Sequence, residues 1–184
     1  MASPNKDLGP CVVVWNGRGI HITPAEDVVT FTKTFGGVFF RYEELQVPIK
    51  RDQAGETHVD DVTVGVVNPE LEVPLTQEEV TKLVECFANA DALVADTLKV
   101  FNPVGENIYP LTRQVIVKPI VNGIVSGDST EFLYIHRAFP RITMEQAYDN
   151  SGQRTVKVIF KGYPDDTSPW INELWRYGPC PEAD

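Results

Sequence analysis

Apolar and polar residues alternate with a period of two along most of this chain, and that pattern predicts β-strands. Around residue 72, for example, Leu71 and Val73 alternate with Glu72. Turn pairs such as Asn16-Gly17, Asn68-Pro69 and Asn122-Gly123 separate the alternating segments. Strands are therefore predicted at 11–15, 20–23, 28–32, 38–42, 62–66, 71–75, 113–121, 131–137 and 154–163.

One segment has the period of a helix instead. Thr76-Gln77-Glu78-Glu79 matches a capping box, in which Thr76 and Glu79 exchange hydrogen bonds with backbone amides. An apolar stripe at helical spacing follows it, made of Val80, Leu83, Val84 and Phe87. The sequence thus predicts a mainly β fold of the α+β class: a β-sandwich or partly closed β-barrel with one flanking amphipathic helix at 77–90.

A chain of 184 residues without repeats or linkers is expected to form a single domain, 1–184. Three segments lie outside the predicted core. Residues 1–10 are an N-terminal arm, 43–58 a long inter-strand loop, and 164–184 a C-terminal extension. Because the extension carries Trp170, Trp175 and Tyr177, we expect it to pack on its own body or on a neighbour.

The charge is strongly negative and unevenly placed. The chain has 26 acidic and 16 basic side chains, which gives a net charge of −10. Thirteen of those acids fall between residues 43 and 96, where Lys50, Arg51 and Lys82 are the only bases. Such a field opposes a general attraction to nucleic acid or to an anionic membrane.

Residue types that support catalysis or metal binding occur without the required context. Gly17-Arg18-Gly19 lacks the third glycine of a dinucleotide site. Ser126, Asp128, Ser129 and His136 are not set in a nucleophile elbow, and His21, His58 and His136 lack zinc spacing. Cys11, Cys86 and Cys180 form no C-x-x-C pair and are expected to be reduced thiols. We therefore expect no enzyme activity, no cofactor and no metal.

Four segments in a fixed order resemble the major tail tube proteins of long-tailed, double-stranded DNA bacteriophages. They are LGPCVVVWNGRGI, DVVTFTKTFGGVFFRYEE, VPIKRDQAGETHVDDVTVG and EVPLTQEEVTKLVECFANA, and they cover residues 8–90. The most specific piece is Asp52-Gln53-x-Gly55-x-Thr57-x-x-Asp60. The C-terminal half is similar only in consisting of strands.

The resemblance implies a structural subunit that assembles into stacked hexameric rings, whose channel carries genomic DNA during ejection without binding it specifically. Its partners would be other copies of the chain, a tail terminator, and baseplate, hub or tape-measure proteins, with no membrane partner. It would be found in the virion, in the phage tail, after assembly in the cytoplasm of the host bacterium. The family's channel is commonly acidic, and a negatively charged lining would repel the DNA phosphates and so let the DNA slide past.

The resemblance also assigns residues to two surfaces. The candidate inter-ring loop contains Glu43, Glu44, Lys50, Arg51, Asp52, Gln53, Glu56 and His58. The candidate acidic lumen or interface contains Asp60, Asp61, Glu70 and Glu72. The alternatives are a related phage module, namely a tail terminator, a baseplate or hub subunit or a capsid decoration protein, and a carbohydrate-binding β-sandwich that uses Trp170, Trp175 and Tyr177.

Overall fold

Alternating apolar residues bring the strands of this chain together into one large antiparallel sheet. In the computed structural model, the described residues are 10–15, 28–34, 37–50, 58–76, 79, 82, 90–94, 97–100, 105, 107–145, 155–166 and 171–180. The strands are β1 (Cys11–Trp15), β2 (Val29–Phe31), β3 (Phe39–Lys50), β4 (His58–Leu75), β5 (Ala90–Val94), β6 (Thr97–Val100), β7 (Arg113–Val121), β8 (Ile124–Val125), β9 (Leu133–Glu145), β10 (Thr155–Tyr163) and β11 (Arg176–Tyr177). Short 3-10 helices span Tyr109–Leu111 and Ser129–Glu131.

The order of strands in the main sheet is β2-β1-β7-β9-β10-β4-β3, and all pairs are antiparallel. The short strand β8 pairs with β7, and β11 pairs with β9. Strands β5 and β6 form a separate pair. The mainly β class that the sequence predicts is therefore confirmed.

The sheet curls until the segment after β2, its end strand, contacts β4, which is the neighbour of the other end strand β3. Thr34, just after β2, forms an isolated bridge with Leu75 at the end of β4. The amide of Thr76 donates to the carbonyl of Lys33 at 3.4 Å beside that bridge. The sheet is open elsewhere, so the architecture is that of a partly closed barrel.

The interior of the curl is filled by aromatic and branched side chains. Trp15 and Phe31 are almost completely buried, and each ring contacts Phe160, with centroids 5.9 and 6.3 Å apart. Fully buried valines, leucines and isoleucine complete the core: Val13, Leu71, Val73, Leu75, Val115, Ile135, Val156 and Val158. Each such side chain stabilises the fold by roughly 1.5–3 kcal/mol relative to exposure.

Several predicted strands are confirmed. The strands at 11–15 and 113–121 have the predicted bounds. The β7–β8 turn at Asn122-Gly123 has positive φ at both residues, 52° and 79°, which is why asparagine and glycine are needed there. The predicted returning strand at 20–23 lies outside the described residues.

The long inter-strand loop predicted at 43–58 is largely wrong. Residues 43–50 belong to β3 and pair with β4, which begins at His58. Leu45 and Val47 alternate with Glu44 and Gln46, and that period of two makes a strand despite the polar composition. The connection shrinks to 51–57, which lies outside the described residues.

The turn predicted at Asn68-Pro69 is also wrong, because β4 continues through both residues. The register with β3 passes from Arg41↔Glu70 to Glu43↔Val67, so β4 has an extra residue there. Pro69 is accommodated at this bulge and lies buried against the next strand.

No flanking helix is seen in the described part of the chain, although most of 77–89 lies outside it. The capping box is wrong: the Thr76 amide donates to Lys33, and the Glu79 carboxylate accepts from the hydroxyl of Thr32 at 3.0 Å and pairs with Lys82 at 2.6 Å. Ala90, the predicted last helical residue, begins β5. Contacts with the sheet have replaced the local cap.

The contact between β4 and β10 is testable through a glycine. A Cβ on Gly162 would lie 2.6 Å from Cγ of Pro69 and 2.9 Å from Cγ2 of Ile135, so Gly162→Ala should lower the free energy of unfolding by about 1–3 kcal/mol. Urea denaturation measures this. Gly127→Ala, where nothing lies within 4 Å, is the control and should stay within about 0.5 kcal/mol of wild type. Equal stability of the two variants would contradict the packing.

Candidate functional site

Four neighbouring strands, β3, β4, β10 and β9, form the surface most suited to assembly, which we call the wall. Three of these strands, β3, β4 and β9, have 12, 18 and 13 residues, whereas β1 and β2 have 5 and 3. One side of the wall faces the core through residues such as Val73, Val158 and Phe160. The opposite side is turned away from the barrel.

Both ends of the wall are strand edges. Among the described residues, β3 pairs only with β4, so its other edge has no strand partner. At the far end, β9 pairs with β7 only up to Ala138, so in the described part of the chain 139–145 pair with β10 alone. Unpaired strand edges invite pairing with another chain.

The wall extends beyond the barrel as a two-stranded hairpin arm, made of residues 43–50 of β3 and 58–67 of β4. The pairing of β4 with β10 runs from Leu75 to Glu70 and stops there. From Glu43↔Val67 to Lys50↔His58 the two strands pair only with each other in the described structure. Eight residues of extended strand span about 26 Å. The hairpin arm therefore projects well past the core.

The hairpin arm carries apolar side chains that its own fold leaves in water. Leu45 and Val47 are 47% and 49% exposed, and Val66 and Val67 are 42% and 40% exposed. A two-stranded hairpin is marginally stable by itself in water. Cover from another molecule would both bury these side chains and stabilise the arm.

The side of the wall turned away from the core presents a grid of side chains, which we call the outer face. The strand registers align Phe39, Glu72, Ile159 and Arg141 in one row, and Arg41, Glu70, Lys161 and Phe139 in the next. A third row contains Lys157 and Thr143. Phe39 is 62% exposed, and the four basic side chains are exposed as well.

Charges on the outer face are interleaved by sign. Glu70 and Glu72 lie on β4, with Arg41 beside them on β3 and Lys157 and Lys161 on β10. The ammonium of Lys157 lies 2.8 Å from Oε1 of Glu72. This exposed pair contributes little stability, since exposed ion pairs are worth about 0–1 kcal/mol. The pair mainly changes the local electrostatic potential, because each charge partly neutralises the other.

The C-terminal segment 171–180 fastens the base of the hairpin arm to the body. The Trp175 ring meets Phe40 and Tyr42 of β3 edge-on, at centroid distances of 5.2 and 5.5 Å. Strand β11 then pairs with β9, and the Gly178 amide donates to the Phe132 carbonyl at 2.9 Å. Of the two alternatives predicted for the C-terminal extension, packing on its own body or on a neighbour, the first is seen for this segment.

Charged side chains hold the same segment. Glu173 accepts two hydrogen bonds from Arg176, at 2.6 and 2.8 Å, and its Oε1 lies 3.3 Å from Nε2 of the buried His136. The bonds from Arg176 hold the pKa of the Glu173 carboxyl below its ordinary value, and His136 acts in the same direction, against the opposing effect of burial. Glu173 is therefore ionised at neutral pH. Nearby, Arg137 pairs with Asp165 and Asp166 at 2.9 and 3.0 Å.

The residues predicted for the inter-ring loop are only partly brought together. Glu43 and Glu44 are exposed at the base of the hairpin arm. At its far end, Lys50 lies opposite His58 in the register of the two strands. Arg51, Asp52, Gln53 and Glu56 lie outside the described residues. Their contact with a neighbouring ring stays a prediction.

The residues predicted for an acidic surface fall on two parts of β4. Asp60 and Asp61 are in the hairpin arm, in register with Ile49 and Pro48. Glu70 and Glu72 are on the outer face, next to basic side chains. The four acids therefore do not form one cluster, because β4 is a single long strand.

Two of the residues considered for a hydrolase triad, Ser126 and Asp128, make local side-chain contacts. The hydroxyl of Ser126 donates to Glu131 at 3.1 Å, and Asp128 accepts from the amide and hydroxyl of Thr130 at 3.0 and 2.7 Å. The ranges that the structure describes contain no group of three potential metal ligands. Burial raises the pKa of the Cys11 thiol to about 11, so this cysteine is protonated and a poor nucleophile at neutral pH.

Sequence reasoning missed the basic half of the outer face. Lys157 and Lys161 alternate with buried Val156, Val158 and Phe160, so the strand pattern already put both lysines on one side of β10. Arg41 and Arg141 come from distant segments and join them only through strand pairing.

No protein-family model matches this chain, and no match is found among curated proteins. In the part of the chain that the structure describes, no helix is long and apolar enough to cross a membrane.

The role of Trp175 is testable. Trp175→Ala removes both edge-on contacts and should lower the free energy of unfolding by about 1–3 kcal/mol, less than for a fully buried tryptophan. Hydrogen exchange should also accelerate in 39–45, at the base of the hairpin arm. The control is Tyr177→Ala, because Tyr177 is 57% exposed. Unchanged exchange in 39–45 would contradict the fastening role.

The Glu173 cluster predicts a pH dependence. A carboxyl whose pKa is lowered by folding stabilises the fold at neutral pH, and that contribution is lost as the pH falls below the ordinary value of 4.5 and through the folded pKa. Glu173→Gln should therefore cost about 1–2 kcal/mol at pH 7 and much less in acid. Urea titrations at both pH values measure this, with Glu43→Gln as the exposed control. A Glu173→Gln effect independent of pH would contradict the electrostatic origin.

Proposed function

We propose that this protein is the structural subunit of a bacteriophage tail tube, in which stacked rings form the channel for genomic DNA. The single observation that carries the proposal is the wall, which has at each end a strand edge without a partner among the described residues and continues into a projecting hairpin arm. The ordered resemblance over residues 8–90 supplies the family and the hexameric stoichiometry.

The two free edges are suited to joining one copy to the next. Strands β3, β4, β10 and β9 alternate in direction, so β3 and β9 run in opposite senses. The free edge of β9 in one copy would therefore meet β3 of the next as an antiparallel pair. The two edges differ, which makes the contact heterologous, and repeated heterologous contacts close into a ring when the rotation permits.

Ring closure would also pair the backbone amides and carbonyls that the edge strands leave exposed. A flat, unpaired edge strand is an aggregation hazard in a free subunit, and a closed circular sheet has no edges. Pro48 in β3 and Pro140 in β9 fit edge strands, because proline lacks the amide that a central strand donates. They would also limit the pairing to particular registers.

The hairpin arm supplies the contact along the tube axis. It projects beyond the barrel with Leu45, Val47, Val66 and Val67 exposed, and would bury them against the adjacent ring. Repeated stacking is an open-ended assembly, so a terminator at one end and a baseplate or hub at the other are the expected partners. A tape-measure protein inside the tube would set its length.

The hairpin arm is the part to remove in a test. A variant in which Asn-Gly replaces residues 46–64 would leave the register partners Leu45 and Gly65 flanking a two-residue turn. The core should be unaffected, because the pairing of β4 with β10 begins at Glu70. We expect wild-type protein to form stacked annuli in negative-stain images and the variant to stop at monomers or single rings.

Circular dichroism and thermal unfolding provide the control that the shortened variant is folded. If the folded variant still formed tubes of normal length, the proposal that the hairpin arm makes the contact between stacked rings would be wrong. A wild-type chain that stays monomeric at all concentrations and in intact particles would contradict the tube itself.

A further inference from the structure

We propose that copies of this chain join through one register of the β9–β3 contact, in which Arg141 of one copy lies opposite Glu43 of the next. The inference rests on the proposed tube and deepens it, because it names the residues that select the partner strand and its alignment. Each free edge of the wall thus takes the opposite edge of a second copy.

The outer face has to stay continuous across such a junction, which restricts the alignment. The extra residues near 68–69 and at 64 lie in β4, so the alternation of side chains along β3 is not interrupted. The outer-face residues at the two edges are Phe39, Arg41, Glu43, Leu45 and Val47 on β3, and Phe139, Arg141 and Thr143 on β9. These residues share one side of an antiparallel pair only in registers that differ by steps of two residues.

The length of the free edge restricts the alignment further. Among the described residues, the edge of β9 without a second partner is 139–145, and β3 begins at Phe39. With Arg141 opposite Glu43, the whole of 139–145 aligns with 39–45. A shift of two residues toward the start of β3 leaves the last residues of β9 beyond the end of their partner strand.

The side chains of the outer face favour the same alignment. It puts Arg141 opposite Glu43 and Phe139 opposite Leu45, and such opposite-charge and apolar cross-strand pairs are favourable. A shift toward the start of β3 would put Arg141 opposite Arg41, and like charges directly opposite each other are unfavourable. A shift toward the hairpin arm would put Arg141 opposite Leu45 and lose the ion pair.

The other side of the sheet agrees with this choice. Ile142 of β9 and Tyr42 of β3 are half-buried on the core-facing side, and the proposed register puts them opposite each other. A shift toward the hairpin arm would put Ile142 opposite the exposed Glu44 instead. Both sides of the sheet therefore select the same register.

The two charges are also available for a neighbour. Arg137 and Lys157 of the wall have carboxylate partners within the chain, at 2.9 and 2.8 Å. Arg141 and Glu43 are exposed, and neither has an opposite charge as a partner in the part of the chain that the structure describes. An ion pair between copies would satisfy both.

The first experiment maps the register with disulfide bonds. Arg41 and Thr143 are exposed and would lie directly opposite each other, about 4.5–5.5 Å apart, which a disulfide can span. Within one chain they are three strands apart, about 14 Å, which a disulfide cannot span. Arg41→Cys/Thr143→Cys should therefore give covalent oligomers on a non-reducing gel when assembled material is oxidised.

The controls for this experiment test the two neighbouring registers. Phe39→Cys/Thr143→Cys would be opposite after a shift toward the start of β3, and Val47→Cys/Phe139→Cys after a shift toward the hairpin arm. Neither should exceed the background of the unsubstituted chain. Cross-linking by a displaced pair, or none by Arg41→Cys/Thr143→Cys in assembled rings, would overturn the register while leaving the tube intact.

The second experiment reverses the charges. Arg141→Glu and Glu43→Arg each put like charges opposite each other and should raise the critical concentration for assembly by about fivefold, measured by sedimentation. Arg141→Glu/Glu43→Arg restores an opposite pair and should come within about twofold of wild type. Lys118→Glu is the control, because Lys118 lies on β7, outside the wall, and this variant should assemble as wild type does.

A mixture of the two single variants provides a check on the same chains. In a ring where Arg141→Glu and Glu43→Arg copies alternate, every junction again joins opposite charges, and a hexamer permits that alternation. The mixture should therefore assemble better than either variant alone at the same total concentration. Single variants that assemble as wild type does, or a mixture no better than its components, would overturn the register. Failure of the wild-type chain to form rings would instead count against the proposed function.

Discussion

Backbone hydrogen bonding at strand edges is the constraint on which the rest of this structure depends. Inside the barrel every strand has neighbours, and the curl brings Thr34 to Leu75, which partly closes the sheet. The wall escapes that closure because β3, β4 and β9 are longer than the strands that could cover them. Its unpaired amides and carbonyls are satisfied by water in the free subunit and would be satisfied by another copy in an assembly.

The core stabilises the fold, whereas the wall is the part that we propose for assembly. Trp15, Phe31 and Phe160 fill the barrel, and no described residue of the hairpin arm belongs to that core. The C-terminal segment connects the two parts, since Trp175 reaches β3 while β11 pairs with β9. The base of the hairpin arm therefore contacts residues that are remote from it in sequence.

Local pattern is sufficient for the strands around the core, including the parts of the wall that pack on it, and insufficient for the hairpin arm and for the composition of the outer face. Strand 113–121 could be predicted because its buried valines alternate regularly. The hairpin arm has the composition of a loop because its alternating Leu45 and Val47 lie among charged residues and are half exposed. The outer face depends on registers between segments that are distant in the sequence, such as Arg41 beside Glu70 and Glu70 beside Lys161, and no single-strand pattern contains that information.

The continuity of β3 and β4 from the barrel into the hairpin arm has a mechanical consequence. A force that pulls on the arm along its strands acts parallel to the β4–β10 ladder, which joins six residue pairs from Glu70↔Lys161 to Leu75↔Val156. Hydrogen bonds loaded in shear must break together, whereas bonds loaded at one end open one after another. A subunit held by its arm would therefore resist tension along the strand direction far better than peeling from the side.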